Sequence, residues 1–291
     1  MTFRALLGNG FKCIHCILPD MKEKLSITLE DTIVKKLDGI VDGKEVKSRS
    51  HAIEKIIRER FEGNVTQALI LCGGEGTRLR PITYEIPKPM IPINGKPLLE
   101  HIISHLKSGG VTEVILAVGY KHEKIISHFG EKWEGVDIKY IIEKSPLGDG
   151  GCLHLAKGIL KDAFFMLNGD VLSNVDIKDM ASFHKDAGCL STIALTTVKD
   201  PKSYGVAIMK GNKITNFMEK PKNPPTRLIN AGIYLFDKKV LEKLPAKKTF
   251  MMGELFPSLA NQGELAGYIY EGKWFDVGTP ERYEMAVKSW K

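Results

Sequence analysis

A run of glycines followed by cations is the part of the sequence best suited to bind a negatively charged ligand. Gly73-Gly74-Glu75-Gly76 follows the short apolar run 68–72, and Arg78, Arg80 and Lys88 come after it. Glycine has no Cβ, so a ligand can approach the backbone amides closely. Amides exposed at the end of a strand bind phosphate oxygens, and nearby cations strengthen that binding. The pattern therefore predicts a loop that holds a polyphosphate.

The loop does not match the familiar phosphate-binding motifs. A Walker A loop would need Gly-Lys-Ser/Thr, whereas Gly76 is followed by Thr77 and Arg78. A dinucleotide-binding loop would need a third glycine at position 79, which is Leu79. Gly74 and Gly76 on their own are explained equally well by a tight turn in an α/β protein, so the loop alone leaves both interpretations open.

Carboxylates lie at the ends of two later apolar runs. Glu143 follows the run 137–142, and Asp170 follows the run 164–168 after Gly169. An ordinary strand-to-helix turn explains Glu143 as well as a binding role does, and an isolated aspartate at a strand end is commonly a helix cap. The residues themselves do not decide between these interpretations.

The order of the elements predicts how these residues are positioned. Apolar strands at 68–72, 113–118, 137–142 and 164–168 alternate with helices expected over 98–107 and around 125–129. This alternation predicts an α/β fold, Rossmann-like, with a mainly parallel sheet and helices on both faces. Ligands of such sheets bind beyond the carboxyl ends of the strands, which is where the glycines and carboxylates fall.

The string GGEGTRLRP, a spacer and PKPMIPINGKPLLEH resembles the signature of the sugar-nucleotide pyrophosphorylases. These nucleotidyltransferases join a nucleoside triphosphate to a sugar 1-phosphate. The resemblance extends from about residue 67 to the C-terminus and implies the nucleotide-diphospho-sugar transferase fold. Pro146-Leu147-Gly148 is commoner in the branches that use mannose or glucose 1-phosphate, which makes a mannose-1-phosphate guanylyl or glucose-1-phosphate nucleotidyl transfer the expected reaction.

The resemblance also implies a role for each candidate residue. Asp170 and Asp276 would bind Mg²⁺, although nothing in their spacing shows that they meet. A carboxylate at Glu143 accepts hydrogen bonds but does not donate them when ionised, which favours the N1–H and amino group of guanine. The implied catalytic residues are Arg78, Lys88 and Asp170; the nucleotide-binding residues are Leu71, Gly73, Gly74, Gly76, Thr77, Glu143 and Gly148; the sugar-phosphate-binding residues are Gly205, Glu219, Lys220 and Asn230.

Residues 21–63 have the pattern of a separate small module. Residues 24–29 alternate polar and apolar, as in a half-buried strand, and two amphipathic helices are expected after Glu30 and after Ser48. Such a segment buries too little surface to be stable alone. It resembles the ribbon-helix-helix repressors, which implies a homodimer or higher even oligomer through 21–63. Lys24, Ser26 and Thr28 would then contact DNA.

The charge of this module leaves DNA binding open. Residues 21–63 contain ten Lys/Arg and nine Asp/Glu, so ten minus nine gives a net charge of only +1. A DNA-binding domain usually has a clearer basic face. Dimerisation without DNA recognition therefore remains an alternative.

The alternative to an enzyme is a DNA-binding regulator. Its nucleotidyltransferase-like domain would sense a nucleotide or sugar nucleotide without turnover.

Composition sets the remaining expectations. The 291 residues are enough for about two domains, here 21–63 and 65–291, after a leader or misassigned start at 1–20. The net charge of +7 suits anionic ligands. Three scattered cysteines, Cys72, Cys152 and Cys189, indicate a reduced, cytoplasmic setting and no membrane partner is expected. Cys13 and Cys16 have zinc-ligand spacing, but no second pair follows.

Overall fold

The structure, a computed structural model, describes residues 26–44, 46–62 and 65–290. The chain divides into two compact units, Met1–Ile57 and Arg58–Lys291. This division falls several residues before the boundary predicted at 63–65. Within the described ranges, no helix is both long and apolar enough to cross a lipid bilayer.

The first unit contains a small helical core. Leu37, Val46 and Ala52 are buried against one another, with Leu29, Val41 and Ile53 packed around them. Arg49 donates two hydrogen bonds to Asp38, at 2.5 and 2.7 Å, on the exposed side of this core. The Ser48 hydroxyl accepts the N–H of His51 at 3.2 Å, which confirms the predicted N-cap of the second helix.

The strand predicted at 24–29 is not found in the part of it that the structure describes. Residues 26–29 lie outside regular secondary structure, and Lys24 lies outside the described residues. A strand is stabilised by hydrogen bonds to a neighbouring strand, and none of the described strands pairs with residues 26–29. The alternating pattern of the sequence is local, whereas the strand it predicts depends on a partner.

Helices follow the apolar periodicity of the sequence. The helix predicted over 98–107 is confirmed and ends just before Gly109. The helix expected around 125–129 begins slightly earlier, at His122. The described helices are α1 (Asp31–Ile40), α2 (Arg49–Glu62), α3 (Ile82–Glu85), α4 (Leu98–Ser108), α5 (His122–Phe129), α6 (Gly148–Ala156), α7 (Ile177–Ala187), α8 (Met252–Asn261) and α9 (Pro280–Ser289).

Strands make up the centre of the second unit. The four strands predicted from apolar runs are all present, each within one or two residues of its expected bounds. The described strands are β1 (Gln67–Cys72), β2 (Pro92–Ile93), β3 (Lys96–Pro97), β4 (Glu113–Val118), β5 (Lys132–Trp133), β6 (Val136–Ile142), β7 (Ala163–Asn168), β8 (Val171–Ser173), β9 (Ser191–Thr197), β10 (Gly205–Lys210), β11 (Lys213–Glu219), β12 (Leu228–Asp237), β13 (Leu265–Ile269) and β14 (Trp274–Asp276).

The main sheet is mixed, which corrects the prediction of a mainly parallel sheet. Its order is β10-β11-β13-β9-β12-β7-β1-β4-β6-β5. The block β7-β1-β4-β6 is parallel, as the alternation of strands and helices predicts. Strand β10 pairs antiparallel with both β11 and β12. The tight turn at Gly211 joins β10 to β11, so these two strands must run in opposite directions.

The predicted helices on both faces are confirmed by the way the strand residues alternate. On β1, Ala68, Ile70 and Cys72 belong to one apolar cluster, whereas Leu69 belongs to another. Helices α4, α5, α7 and α9 contribute to the first cluster, and α6 and α8 contribute to the second. The parallel block is therefore covered on both faces, and a ligand can reach it only from the ends of its strands.

Candidate active site

The glycine loop follows β1 and forms one wall of a cavity of about 560 Å³. Gly76 has a φ of +65°, and a Cβ there would lie 2.8 Å from the Thr83 side chain. The Thr83 hydroxyl donates to the carbonyl of Gly76 at 2.9 Å. The loop conformation thus requires glycine at position 76, where only glycine avoids both the strain and the collision.

The cavity lies at the carboxyl ends of the parallel strands, as predicted. It brings together all three predicted catalytic residues, all seven predicted nucleotide-binding residues and several others. Its lining residues are Leu71, Cys72, Gly73, Gly74, Glu75, Gly76, Thr77, Arg78, Lys88, Pro89, Glu143, Pro146, Leu147, Gly148, Asp149, Asn168, Gly169, Asp170 and Gly278.

Two of the three cations after the glycines reach this cavity. Arg78 and Lys88 line it, and the Lys88 ammonium donates a short hydrogen bond to Asp170 Oδ2. The Lys88 side chain is 13% exposed and that of Asp170 is 28% exposed, so the pair is largely shielded from water. Arg80 instead pairs with Glu75 at 3.2 Å and lies over the ring of Tyr84, outside the lining.

A short pair of strands brings Asp170 and Asp276 together. Asp170 precedes β8 and Asp276 ends β14, and in the antiparallel register Asp276 lies opposite Val171. The N–H of Val277 donates to the carbonyl of Asp170 at 2.8 Å. Spacing in the sequence gives no sign of this encounter. The hydrogen bonds of a separate two-stranded sheet produce it.

Asp276 is held in a crowded electrostatic environment. Its pKa is raised because the carboxylate is buried and because Asp170 repels its charge, while Lys88, Arg282 and Arg78 partly offset these effects. The Arg282 guanidinium donates to Asp276 Oδ2 at 2.6 Å. Its other oxygen, Oδ1, is buried and has no hydrogen-bond partner among the residues described. A buried oxygen without a partner costs free energy, so this atom is suited to receive a ligand.

The pair of carboxylates fits a hard divalent cation better than a transition metal. No group of three or more His, Cys, Asp or Glu side chains converges anywhere in the described ranges. Two carboxylates with one unpartnered oxygen leave most coordination positions to other oxygen ligands. Mg²⁺ is bound in this way, through one or two carboxylates together with phosphate oxygens and water.

Glu143 lies next to the glycine loop in the cavity lining, directly after β6. Its N–H donates to the carbonyl of Val118 at 2.8 Å, and a Cβ on Gly73 would lie 3.6 Å from its carboxylate. Burial raises the pKa of Glu143, partly offset by a hydrogen bond from the backbone of Leu147. The carboxylate therefore lies directly beside Gly73 of the glycine loop, and both line the cavity.

Three glycines of α6 pack against the segment before α8. A Cβ on Gly148 would lie 2.4 Å from the carbonyl of Phe250, and a Cβ on Gly150 would lie 2.3 Å from the Phe250 ring. A Cβ on Gly151 would lie 2.5 Å from the carbonyl of Lys248. Gly148 also has a φ of +78°. Packing thus explains why Gly148 is glycine, in addition to the close approach of a nucleotide base that the resemblance implies.

The predicted sugar-phosphate residues lie outside the cavity lining. Gly205 pairs with Glu219 across β10 and β11, and Lys220, at a φ of +45°, donates its N–H to the carbonyl of Tyr204 at 3.1 Å. The Asn230 amide is used within its own strand, where it donates to the Tyr234 hydroxyl at 2.9 Å. These residues lie on or directly after antiparallel strands, and the start of β12 is level with the carboxyl end of β7, because Ile233 pairs with Leu167. They are therefore at the edge where the parallel strands end, beside the cavity lining rather than in it.

Sequence analysis missed two charged residues of the site. Arg282, in the first turn of α9, pairs with Asp276 and lies over the ring of Tyr204 at 5.1 Å. Asp149 lines the cavity one residue after Gly148. Both are next to motifs that the sequence does show, but their side chains gain significance only through tertiary contacts. In the sequence, the one indication that Arg282 and Asp149 belong to the site is that each lies close to a recognised motif.

The comparisons with known proteins agree with this fold and site. Residues 67–290 match the family model described as nucleotidyl transferase. The chain therefore belongs to the nucleotidyl transferase family. A "Mannose-1-phosphate guanylyltransferase catalytic subunit beta" from Drosophila pseudoobscura pseudoobscura is 41% identical over 76% of this chain. The chain spans only 61% of that protein's length.

Solved structures show the same fold. HddC from Yersinia pseudotuberculosis, complexed with GMP-PN, is 31% identical and superposes with a TM-score of 0.66 over 78% of this chain and all (100%) of that one. A UDP-glucose pyrophosphorylase complexed with UDP-glucose superposes with a TM-score of 0.69 at 23% identity, covering 78% of this chain and 98% of that one. The latter comparison shows the fold alone.

The raised pKa of Asp276 predicts that this residue lowers the stability of the metal-free protein. The folded state binds the Asp276 proton more tightly than the unfolded chain does, so ionisation costs stability. That cost is absent below the unfolded-state pKa and complete above the folded-state pKa. We expect Asp276→Asn to raise the free energy of unfolding at neutral pH by on the order of 1 kcal/mol, with the gain vanishing in acid.

Urea unfolding in the presence of a chelator, measured across pH, checks this expectation. Asp137→Asn is the matched control. The Asp137 carboxylate is 61% exposed and lies at the start of β6, away from the cavity, so its removal should change the free energy of unfolding little. A loss of stability for Asp276→Asn at neutral pH would show instead that the pair with Arg282 outweighs burial.

Proposed function

We propose that the protein transfers a nucleotidyl group from a nucleoside triphosphate to a sugar 1-phosphate, releasing pyrophosphate. The observation that carries this proposal is the cavity itself, where the glycine loop, Arg78, Lys88 and Asp170 converge beside Asp276. GTP and mannose 1-phosphate are the favoured substrates, because the Drosophila relative is a mannose-1-phosphate guanylyltransferase and HddC was solved with GMP-PN. Glucose 1-phosphate is the alternative acceptor.

The reaction is a single in-line displacement. A phosphate oxygen of the sugar 1-phosphate attacks the α-phosphorus, and the bond from that phosphorus to the β-phosphate oxygen breaks as pyrophosphate leaves. Arg78 binds the β- and γ-phosphates and offsets the charge on the leaving group, while Lys88 binds at the α-phosphate. The protein contributes position and positive potential, so no covalent enzyme intermediate forms.

Mg²⁺ is the proposed cofactor, and Asp170 and Asp276 are the residues that would hold it. The unpartnered Oδ1 of Asp276 supports this assignment. When bound, the ion would neutralise phosphate charge and orient the phosphates. In the structure Lys88 and Arg282 neutralise these two carboxylates. Arg282 therefore has to share Asp276 with the ion, and Lys88 can turn from Asp170 to the phosphates.

Glu143 is the proposed reader of the base. Its carboxylate lines the cavity beside Gly73, where it can accept hydrogen bonds from guanine N1–H and the amino group. Gly205, Glu219, Lys220 and Asn230 are the proposed contacts of the sugar phosphate, on the strands next to the cavity. They reach a ligand that extends from the cavity towards β10, β11 and β12.

Pyrophosphate release by the purified protein tests the proposed reaction. Each common triphosphate is paired with mannose, glucose, N-acetylglucosamine and galactose 1-phosphates, with and without Mg²⁺. We expect release with one preferred pair, only with Mg²⁺, and a loss of about 100- to 1000-fold in kcat for Arg78→Ala. Arg80→Ala is the matched control, since Arg80 is outside the cavity lining and its side chain is 41% exposed. No release from a folded, nucleotide-binding protein would contradict the proposal and favour the regulator.

Base selection by Glu143 is tested by Glu143→Gln. Glutamine can both donate and accept a hydrogen bond, so the requirement for guanine should weaken. We expect the ratio of kcat/KM for GTP to that for ATP to fall by about 10-fold or more, measured by pyrophosphate release. Glu123→Gln, a carboxylate 65% exposed on α5, should leave the ratio unchanged. An unchanged ratio for Glu143→Gln would remove this residue from the base pocket.

We further propose that residues 21–63 make the protein a homodimer or a higher even oligomer. The described part of the first unit buries few apolar side chains, whereas Ile33, Ile40, Ile56 and Ile57 of its helices remain 40–48% exposed. Four exposed isoleucines on two short helices favour a partner surface. Ser26 and Thr28 are exposed, which leaves them available to DNA. Lys24, the third proposed DNA contact, lies outside the described residues. A cytoplasmic location stays a prediction.

Light scattering measures the oligomeric state directly. We expect an even number of chains for the wild type and smaller assemblies for Ile33→Glu or Ile57→Glu, because a charge would be buried in the interface. Ile269→Glu, at a residue 54% exposed in β13, is the control for adding a charge elsewhere. A monomeric wild type would contradict the proposal. Retention on DNA that weakens with salt would add the DNA-binding role.

A further inference from the structure

Asp149 is a charged residue of the cavity that the proposed reaction does not yet use. It lies in the first turn of α6, directly after Gly148, and lines the cavity with Leu147 and Pro146. Its pKa is raised, chiefly because the carboxylate is buried. A carboxylate in such a place is seldom retained without hydrogen-bond partners, because its desolvation is costly.

The position of the Asp149 side chain is fixed by the start of α8. The N–H of Met252 donates to Asp149 Oδ1 at 2.6 Å, and the carbonyl of Phe250 accepts the N–H of Gly150 at 3.1 Å. These bonds hold α6 and the segment before α8 together. An ionised carboxylate has about four acceptor positions, so the bond from Met252 leaves capacity for further donors.

Asp149 connects the cavity to the proposed sugar-phosphate residues. Repulsion by Glu219 raises the pKa of Asp149 and attraction to Lys220 lowers it, so these three charged side chains lie close enough to interact. A Cβ on Gly253 would lie 3.1 Å from Glu219 Cγ, which places the beginning of α8 between Glu219 and Asp149.

Asp149 is therefore on the sugar side of the cavity. The groups that a sugar presents there are hydroxyls, and a carboxylate with spare acceptor capacity is the natural partner of a hydroxyl donor. We propose that Asp149 is a specificity-determining residue that accepts a hydrogen bond from a ring hydroxyl of the acceptor sugar. This inference rests on the proposed function, because it requires that a sugar 1-phosphate binds at this site.

The test compares Asp149→Asn with the wild type on the acceptor sugar and its deoxy analogues. Asparagine Oδ1 still accepts the Met252 N–H, so the link between α6 and α8 remains, while the second acceptor oxygen is replaced by a donor. Steady-state kinetics are measured with saturating GTP, using mannose 1-phosphate and its 2-, 3-, 4- and 6-deoxy forms. If the screen identifies another sugar, its own deoxy series is used.

We expect Asp149→Asn to lower kcat/KM for the sugar 1-phosphate by about 10- to 100-fold, with little change in the KM for GTP. The wild type should show a similar loss on one deoxy analogue, and the variant should lose little more on that same analogue. This non-additivity is the signature of a direct contact, since a merely structural effect would lower activity on all sugars alike. Asp137→Asn is the control, at an exposed carboxylate far along β6.

Several results would overturn the inference. One is an unchanged kcat/KM, and another is a loss on every analogue in proportion. A third is a fall in kcat/KM of Asp149→Asn for GTP alone, equal to the loss that the wild type shows with 2′-deoxy-GTP. That result would assign Asp149 to the ribose of the nucleotide. If the wild type turns over no pair, the proposed function fails. Calorimetric binding of mannose 1-phosphate to both proteins then decides the role of Asp149, because equal affinities would exclude the contact.

Discussion

Two carboxylates held side by side are the constraint on which the rest of the site depends. The pairing of β8 with β14 brings Asp170 and Asp276 together, and their mutual repulsion would be unfavourable in a buried place without compensation. Lys88, Arg282 and Arg78 supply that compensation. Two of these cations, Lys88 and Arg78, also line the cavity with the glycine loop, so one arrangement of charges both stabilises the carboxylates and creates a cavity suited to phosphates.

The two halves of the sheet carry different groups of candidate binding residues. The parallel block ends at the cavity, with the glycine loop after β1 and Glu143 after β6, because parallel strands deliver their carboxyl ends to one edge. The antiparallel strands β10, β11 and β12 extend the sheet sideways and carry Gly205, Glu219 and Asn230. A ligand with a nucleotide at one end and a sugar at the other could thus contact the parallel block with its first end and the antiparallel strands with its second.

The sequence predicted those features that depend on local pattern. The buried strands, the glycine loop and Asp170 were found because apolar runs and the residues that end them are visible along the chain. The encounter of Asp276 with Asp170 and the roles of Arg282 and Asp149 depend on contacts between distant segments, and spacing carries no record of them. The two predictions that the structure does not bear out, the strand at 24–29 and the mainly parallel sheet, also depend on contacts beyond the local sequence. The strand at 24–29 needs a partner, and the mixed sheet follows from turns that reverse the chain.

The contact between α6 and the segment before α8 has a consequence for how the protein can change. Gly148, Gly150 and Gly151 meet the backbone and ring of residues 248–250 with no room for a methyl group. A single substitution at any of these glycines would therefore collide before it could reshape the cavity. Variation here has to be concerted, with both segments changing together. This wall is thus expected to vary slowly during evolution and to resist redesign by one mutation at a time.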